Sequence, residues 1–77
     1  MRQKILIVDD EESIVTLLTY NLEQAGFMTD SVYNGKDAVN QAQKHLYDLI
    51  ILDLMLPELD GLEVCKRLRQ KRIDTPI

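Results

Sequence analysis

The chain is 77 residues long, 45% hydrophobic and 29% charged, with a formal net charge of −4. That length holds one small domain at most, burying only about 60–65% of the surface its unfolded form exposes, and the acidic balance repels phosphate backbones, so direct nucleic-acid binding by this segment is not expected. No apolar run approaches the ~18 residues of a membrane span, the N-terminus turns acidic where a signal peptide stays apolar, and the single Cys65 forms neither an internal disulfide nor a zinc set, so a reducing cytoplasm is the expected setting.

In chain order, "KILIV" (4–8) is a β-branched run that predicts a strand buried on both faces. Residues 12–25 switch period. Ile14, Leu17, Leu18, Leu22 and Ala25 predict the apolar stripe of a first helix, and Gly26 its C′ residue. "FMTDSVY" (27–33) is a weaker strand, and its polar Thr29, Asp30 and Ser31 suit an edge. "NGKDAVNQAQKHL" (34–46) predicts a second helix with Asn34 as N-cap and Val39, Ala42 and Leu46 as its stripe. "DLIILD" (48–53) predicts a second fully buried strand, and 54–60 a loop. Asp60 with Glu63 has the spacing of a capping box for a third helix that buries Leu62, Cys65 and Leu68. "TPI" (75–77) has the composition of a strand beginning. The alternation predicts an α/β fold: a parallel sheet, helices on both faces, strand order 2-1-3, the opening half of a flavodoxin-like sheet.

In a parallel sheet all C-terminal strand ends share one edge. Asp9 and Asp10 leave the first strand there and Asp53 leaves the third, so three carboxylates converge between strands about 4.8 Å apart. Two such charges about 4 Å apart repel by roughly 4 kcal/mol at an effective dielectric of 20, and helix N-termini offset only about 0.3–1 kcal/mol each. A hard divalent cation balances the set. Mg²⁺ uses few protein carboxylates and leaves positions for phosphate oxygens. A carboxylate beside it is placed to attack phosphorus and form an aspartyl phosphate.

These residues resemble the receiver domains of two-component response regulators. The resemblance rests on "ILIVDD", "LIILD" and "LMLPELDG" with Pro57 and Gly61 in place, together with "NGKDAV" and "TPI", and it covers the whole chain. The wording is most similar to the OmpR/PhoB subfamily, especially PhoP-type regulators of Gram-positive bacteria. The resemblance implies a CheY-like fold and a phosphoryl-accepting Asp53 served by a sensor histidine kinase. It implies Mg²⁺ held directly by Asp10 and Asp53 and by the Met55 backbone carbonyl, with Asp9 acting through water, and a loop shaped by Pro57 and Gly61. A phosphoacceptor of this kind is not a turnover enzyme. In the family, a Ser or Thr on a fourth strand and a Lys ending a fifth contact the phosphoryl group. Neither lies within residues 1–77, which therefore read as the N-terminal part of a receiver. On that reading phosphorylation is expected to be weak, and the open edge of the third strand is expected to pair with a second copy.

Other readings are weaker. Asp9 and Asp10 also suit a helix N-terminus, Pro57 also serves simply to end a strand, and Cys65 also fits inert core. His45 suits a helix C-terminus. The basic run Lys66, Arg67, Arg69, Lys71 and Arg72 reads as a solvated helix end. A haloacid-dehalogenase-type phosphatase needs an acid where Met55 stands, and no nucleotide-binding glycine motif is present. An inert structural fragment is the remaining alternative.

Overall fold

The first apolar run becomes β1 (Lys4–Val8), the centre of a three-stranded parallel sheet of order β2-β1-β3, in a computed structural model that describes residues 2–77. The other elements are α1 (Glu12–Gln24), β2 (Met28–Val32), α2 (Gly35–Lys44), β3 (Leu49–Leu52) and α3 (Gly61–Gln70). Strand periodicity divides the core in two. Leu6 and Val8 of β1 and Ile50 of β3 face α2 and α3, packing with Ala38, Val39, Ala42, Val64 and Leu68. Ile5 and Ile7 face the other way, onto Val15 of α1, with Leu18, Leu22 and Phe27 around them. The order 2-1-3 and the two-faced helix arrangement match the sequence expectation.

Local chemistry sets the helix ends. The Asn34 side chain accepts from the Asp37 amide at 2.8 Å, and Asp60 accepts from the Glu63 amide at 2.9 Å. At Asp60 only this half of the capping box is present. Gly26 takes φ +96° after α1, and the Phe27 and Gly26 amides return to Leu22 and Glu23 in a Schellman closure. Arg72 closes α3 in the same way at φ +60°, a conformation an Arg adopts at a cost. The Arg69 guanidinium donates to the Ile73 and Thr75 carbonyls, so this member of the basic run holds the connection after α3 while its neighbours stay exposed.

Several expected burials are corrected. On α1 the inward face is Val15, Leu18 and Leu22. Leu17 is 57% exposed, and Ile14 and Ala25 also lie outward. On α2, Leu46 lies past the helix end and is 96% exposed, because His45 turns to φ −132°, ψ 152° and swings Tyr47 inward instead. On α3 the buried set is Gly61, Val64 and Leu68, while Leu62 is exposed and Cys65 only half-buried. In β3 only Ile50 is fully buried, since the strand is paired on one side alone. Residues 75–77 are not a strand, yet the Ile50 amide donates to the Pro76 carbonyl at 2.8 Å on that free edge.

Asp30 does more than blunt an edge. The buried Tyr47 hydroxyl donates to Asp30 Oδ2 at 2.6 Å and accepts from Gln41 Nε2, and Lys4 Nζ pairs with Asp30 at 3.2 Å. Lys4 Nζ also lies 5.5 Å from the Tyr47 ring centroid. Burial, then the bond to Asp30, pushes the Tyr47 hydroxyl up to about 12 from 10.0, and the Tyr47 hydroxyl bond outweighs burial in holding Asp30 below its ordinary value. A raised folded-state pKa contributes stability that is complete below the unfolded value and lost as pH rises through the folded one. Tyr47→Phe is therefore expected to be less stable than the parent by about 1.5–3 kcal/mol at neutral pH, the range for a hydrogen bond to a charged group. The gap should close between pH 10.0 and about 12, as the parent's Tyr47 ionises. Urea midpoints measured across that range check it, and a gap constant with pH refutes the assignment.

Candidate functional site

The sheet register brings the acids together. Val8 lies opposite Leu52 in the β1–β3 pairing, so the next residues on the two strands are Asp9 and Asp53. The ladder continues one step beyond the strands: the Asp53 amide donates to the Val8 carbonyl at 3.0 Å and the Asp9 amide to the Val32 carbonyl at 3.3 Å. Asp10 follows Asp9 on the way to α1. One carboxylate oxygen from each of Asp9, Asp10 and Asp53 lies within 4.8 Å of the others. Asp9 and Asp53 are half-buried and Asp10 is exposed.

Each strand-end acid has one oxygen committed. Asp53 Oδ1 accepts from the Met55 amide and Asp9 Oδ1 from the Glu11 amide, both at 2.9 Å, the closure of an Asx-type turn. These bonds fix the orientation of the two carboxylates. Among the described residues the only ion pair is Lys4–Asp30, and Lys4 opens β1 at the opposite end from Asp9. Among the described residues no Lys, Arg or His forms an ion pair with the cluster. Repulsion at 4.8 Å is about 1 kcal/mol per pair in water and roughly 3–4 kcal/mol at an effective dielectric of 20. The donors are all hard oxygens, which fits Mg²⁺ and not a thiolate- or imidazole-preferring metal. Cys65 and His45 are not members of the cluster.

The loop after Asp53 is held tightly. Leu56 is buried in the α2–α3 side of the core, while the Met55 side chain is 85% exposed. Glu58 takes φ +64°, and the Leu59 amide donates to the Pro57 carbonyl at 2.7 Å, closing a γ-turn. The Gly61 amide then donates to the Leu54 carbonyl at 3.2 Å. A Cβ on Gly61 would lie 2.5 Å from the Asp53 carbonyl oxygen and 2.7 Å from Leu54 Cα, so only glycine permits α3 to start against the strand end. Pro57 opens the turn, and Gly61 lies at the close approach to the strand end. The positive φ of Glu58 had no sequence signal, because glutamate is not a residue that favours it. Two cavities of about 390 and 410 Å³ lie elsewhere, one between the ends of α2 and α3 and one beside α1 and β2.

The family profile described as response regulator receiver domain matches residues 5–77. The chain is 56% identical over its full length to the alkaline phosphatase synthesis transcriptional regulatory protein PhoP of Bacillus subtilis, covering 32% of that protein. It is 40% identical to the Thermotoga maritima response regulator TrrA, solved in complex with Mg²⁺-BeF, at TM-score 0.87, over 94% of this chain and 62% of that one. TrrA has also been solved in complex with histidine kinase ThkA (40% identity, TM-score 0.88, 97% and 64% coverage). A receiver domain of a Pseudomonas aeruginosa sensor histidine kinase, with magnesium coordinated in its active-site cleft, is 31% identical at TM-score 0.88 over 95% of this chain and 63% of that one. The chain spans about a third of the length of the curated relatives it matches. With the 2-1-3 sheet and the acidic strand ends in place, the chain belongs to the response regulator receiver domain family.

Proposed function

We propose that residues 1–77 are the N-terminal part of a receiver domain in which Asp53 accepts a phosphoryl group from a sensor histidine kinase. The observation that carries this is the set of three carboxylate oxygens within 4.8 Å at one sheet edge. Asp53 Oδ1 accepts from the Met55 amide, and in this reading the other oxygen, Oδ2, attacks. It forms a bond to phosphorus as the donor's P–N bond breaks, and the donor imidazole leaves with the electron pair. In this reading Asp10 and Asp53 would hold Mg²⁺ directly, with the Met55 carbonyl as a third donor and Asp9 acting through water. Bound there, Mg²⁺ would neutralise charge on the phosphoryl oxygens. The ThkA–TrrA complex supports a kinase partner, and the name of PhoP supports transcriptional regulation as the role of the longer protein. Mass measurement after incubation with acetyl phosphate, beside Asp53→Asn, tests the assignment against an inert fragment.

We propose in addition that the chain self-associates. Leu49, Ile51 and Leu52 remain partly exposed on β3, Ile14, Leu17 and Tyr20 lie exposed on α1, and among the described residues the free β3 edge is met only by the Pro76 carbonyl. Such an apolar, half-paired edge favours a second copy of the chain. Sedimentation is expected to show a concentration-dependent dimer. A sharp monomer at high concentration refutes it.

A further inference from the structure

We infer that Gly35 is a positioning residue of the acidic site: its bare Cα lets α2 seat directly on the Leu59 carbonyl and so fixes the loop that carries Asp53 and Met55. Gly35 is buried at the first position of α2, where Asn34 anchors the helix start. A Cβ built there meets the Leu59 carbonyl oxygen at 2.5 Å, Val64 Cγ2 at 2.8 Å and Leu59 Cβ at 3.1 Å. The nearest atom is backbone and has no rotamer by which to withdraw. Leu59 is also the end of the Pro57–Leu59 γ-turn, with the strained Glu58 at its centre. Two residues on, Gly61 rests against the Asp53 carbonyl under the same steric limit, 2.5 Å from a Cβ. Two glycine contacts thus clamp the loop, one at Asp53 itself and one from a helix that contributes no ligand. Neither close approach involves a side chain of the acidic cluster.

A methyl group at Gly35 therefore requires the Leu59 backbone to retreat by roughly 1 Å, a displacement of the size that costs orders of magnitude at a positioned site. The loop between Leu59 and Asp53 is closed by the Leu54–Gly61 and Asp53–Met55 hydrogen bonds, so the shift passes to the carboxylate turn.

The inference rests on reading the acidic cluster as the metal and phosphoryl site, and the test separates the two. Gly35→Ala is compared with Gly26→Ala. Gly26 has φ +96° and open space around a Cβ, so its substitution strains the backbone far from the loop. Gly35→Ala is expected to bind Mg²⁺ at least tenfold more weakly than the parent, by calorimetry. Its Met55 and Gly61 amides should exchange at least tenfold faster relative to those of Leu6 and Ile7. Gly26→Ala is expected to lower overall stability while keeping parental Mg²⁺ affinity. Unchanged exchange at Met55 and Gly61 in folded Gly35→Ala overturns the inference, and so does an equal loss in Gly26→Ala. If the parent itself binds no Mg²⁺, the metal reading fails and the amide comparison alone decides the role of Gly35. If Gly35→Ala does not fold, Gly35→Ala/Val64→Ala removes the side-chain clash and keeps the carbonyl one. Weaker Mg²⁺ binding and faster loop exchange than in Val64→Ala then support the inference, and equal values overturn it.

Discussion

Leu6→Ala is expected to cost about 2–5 kcal/mol, the range for removing a fully buried leucine. Leu6 is 0% exposed, at the middle of the central strand, opposite Asp30 on one side and Ile50 on the other. It packs in the cluster that joins α2 and α3 to the sheet. A chain of 77 residues has roughly 4–12 kcal/mol of total stability at about 0.05–0.15 kcal/mol per residue, so this one change removes a large share. The cavity left behind has walls on both sides and little freedom to collapse, which favours the upper half of the range. Leu17→Ala is the matched comparison, because Leu17 is 57% exposed on α1. It should change stability by less than about 0.5 kcal/mol in the monomer. Denaturant midpoints for both variants check the ranking, and a Leu17 effect as large as that of Leu6 contradicts it.

That comparison also shows where sequence reading stops. The strands were legible because β1 is apolar at every position from Ile5 to Val8 and needs cover on both faces. The helices were legible as helices but not in their orientation. At about 100° per residue, Val15, Leu18 and Leu22 fall within roughly 60° of one another, whereas Leu17 points about 130° from the middle of that arc. Hydropathy alone gave no reason to choose Val15 over Leu17. On α3 the contact that sets the inward face is Gly61, a residue with no side chain to mark it. Leu46 was lost to a helix end, since α2 stops at Lys44 and the following turn commits Tyr47 to the core.

The site was more legible than the core that supports it. Strand ends in a parallel sheet are fixed by topology, so placing Asp9, Asp10 and Asp53 together needed only the strand order. What the sequence did not disclose is how the loop is held. The Glu58 turn depends on a conformation its residue type disfavours. The Gly35–Leu59 approach joins residues 24 positions apart in separate elements. The Tyr47–Asp30–Lys4 network likewise gathers three separate segments, and no local pattern marks it.

The second large effect is expected at Asp53. With Mg²⁺ and acetyl phosphate, a fraction of the chain should gain the mass of one phosphoryl group, and a chelator should abolish the gain. Asp53→Asn should show none, since an amide is not a nucleophile toward phosphorus. This variant is a clean control because Asn keeps an oxygen to accept the Met55 amide, so the turn after β3 persists. Removing one of three crowded carboxylates also relieves repulsion of about 1 kcal/mol per pair in water, so metal-free Asp53→Asn should be no less stable than the parent. The linkage runs the other way for the parent. Mg²⁺ at ten times its Kd stabilises a single-site binder by about 1.4 kcal/mol, a rise in Tm of roughly 5–11 °C for a domain of this size. Asp53→Asn should lose most of that rise. The two readouts constrain each other: a Tm rise without an adduct leaves a metal site that does not accept phosphoryl groups. An adduct that survives Asp53→Asn places the chemistry on another residue and overturns the assignment.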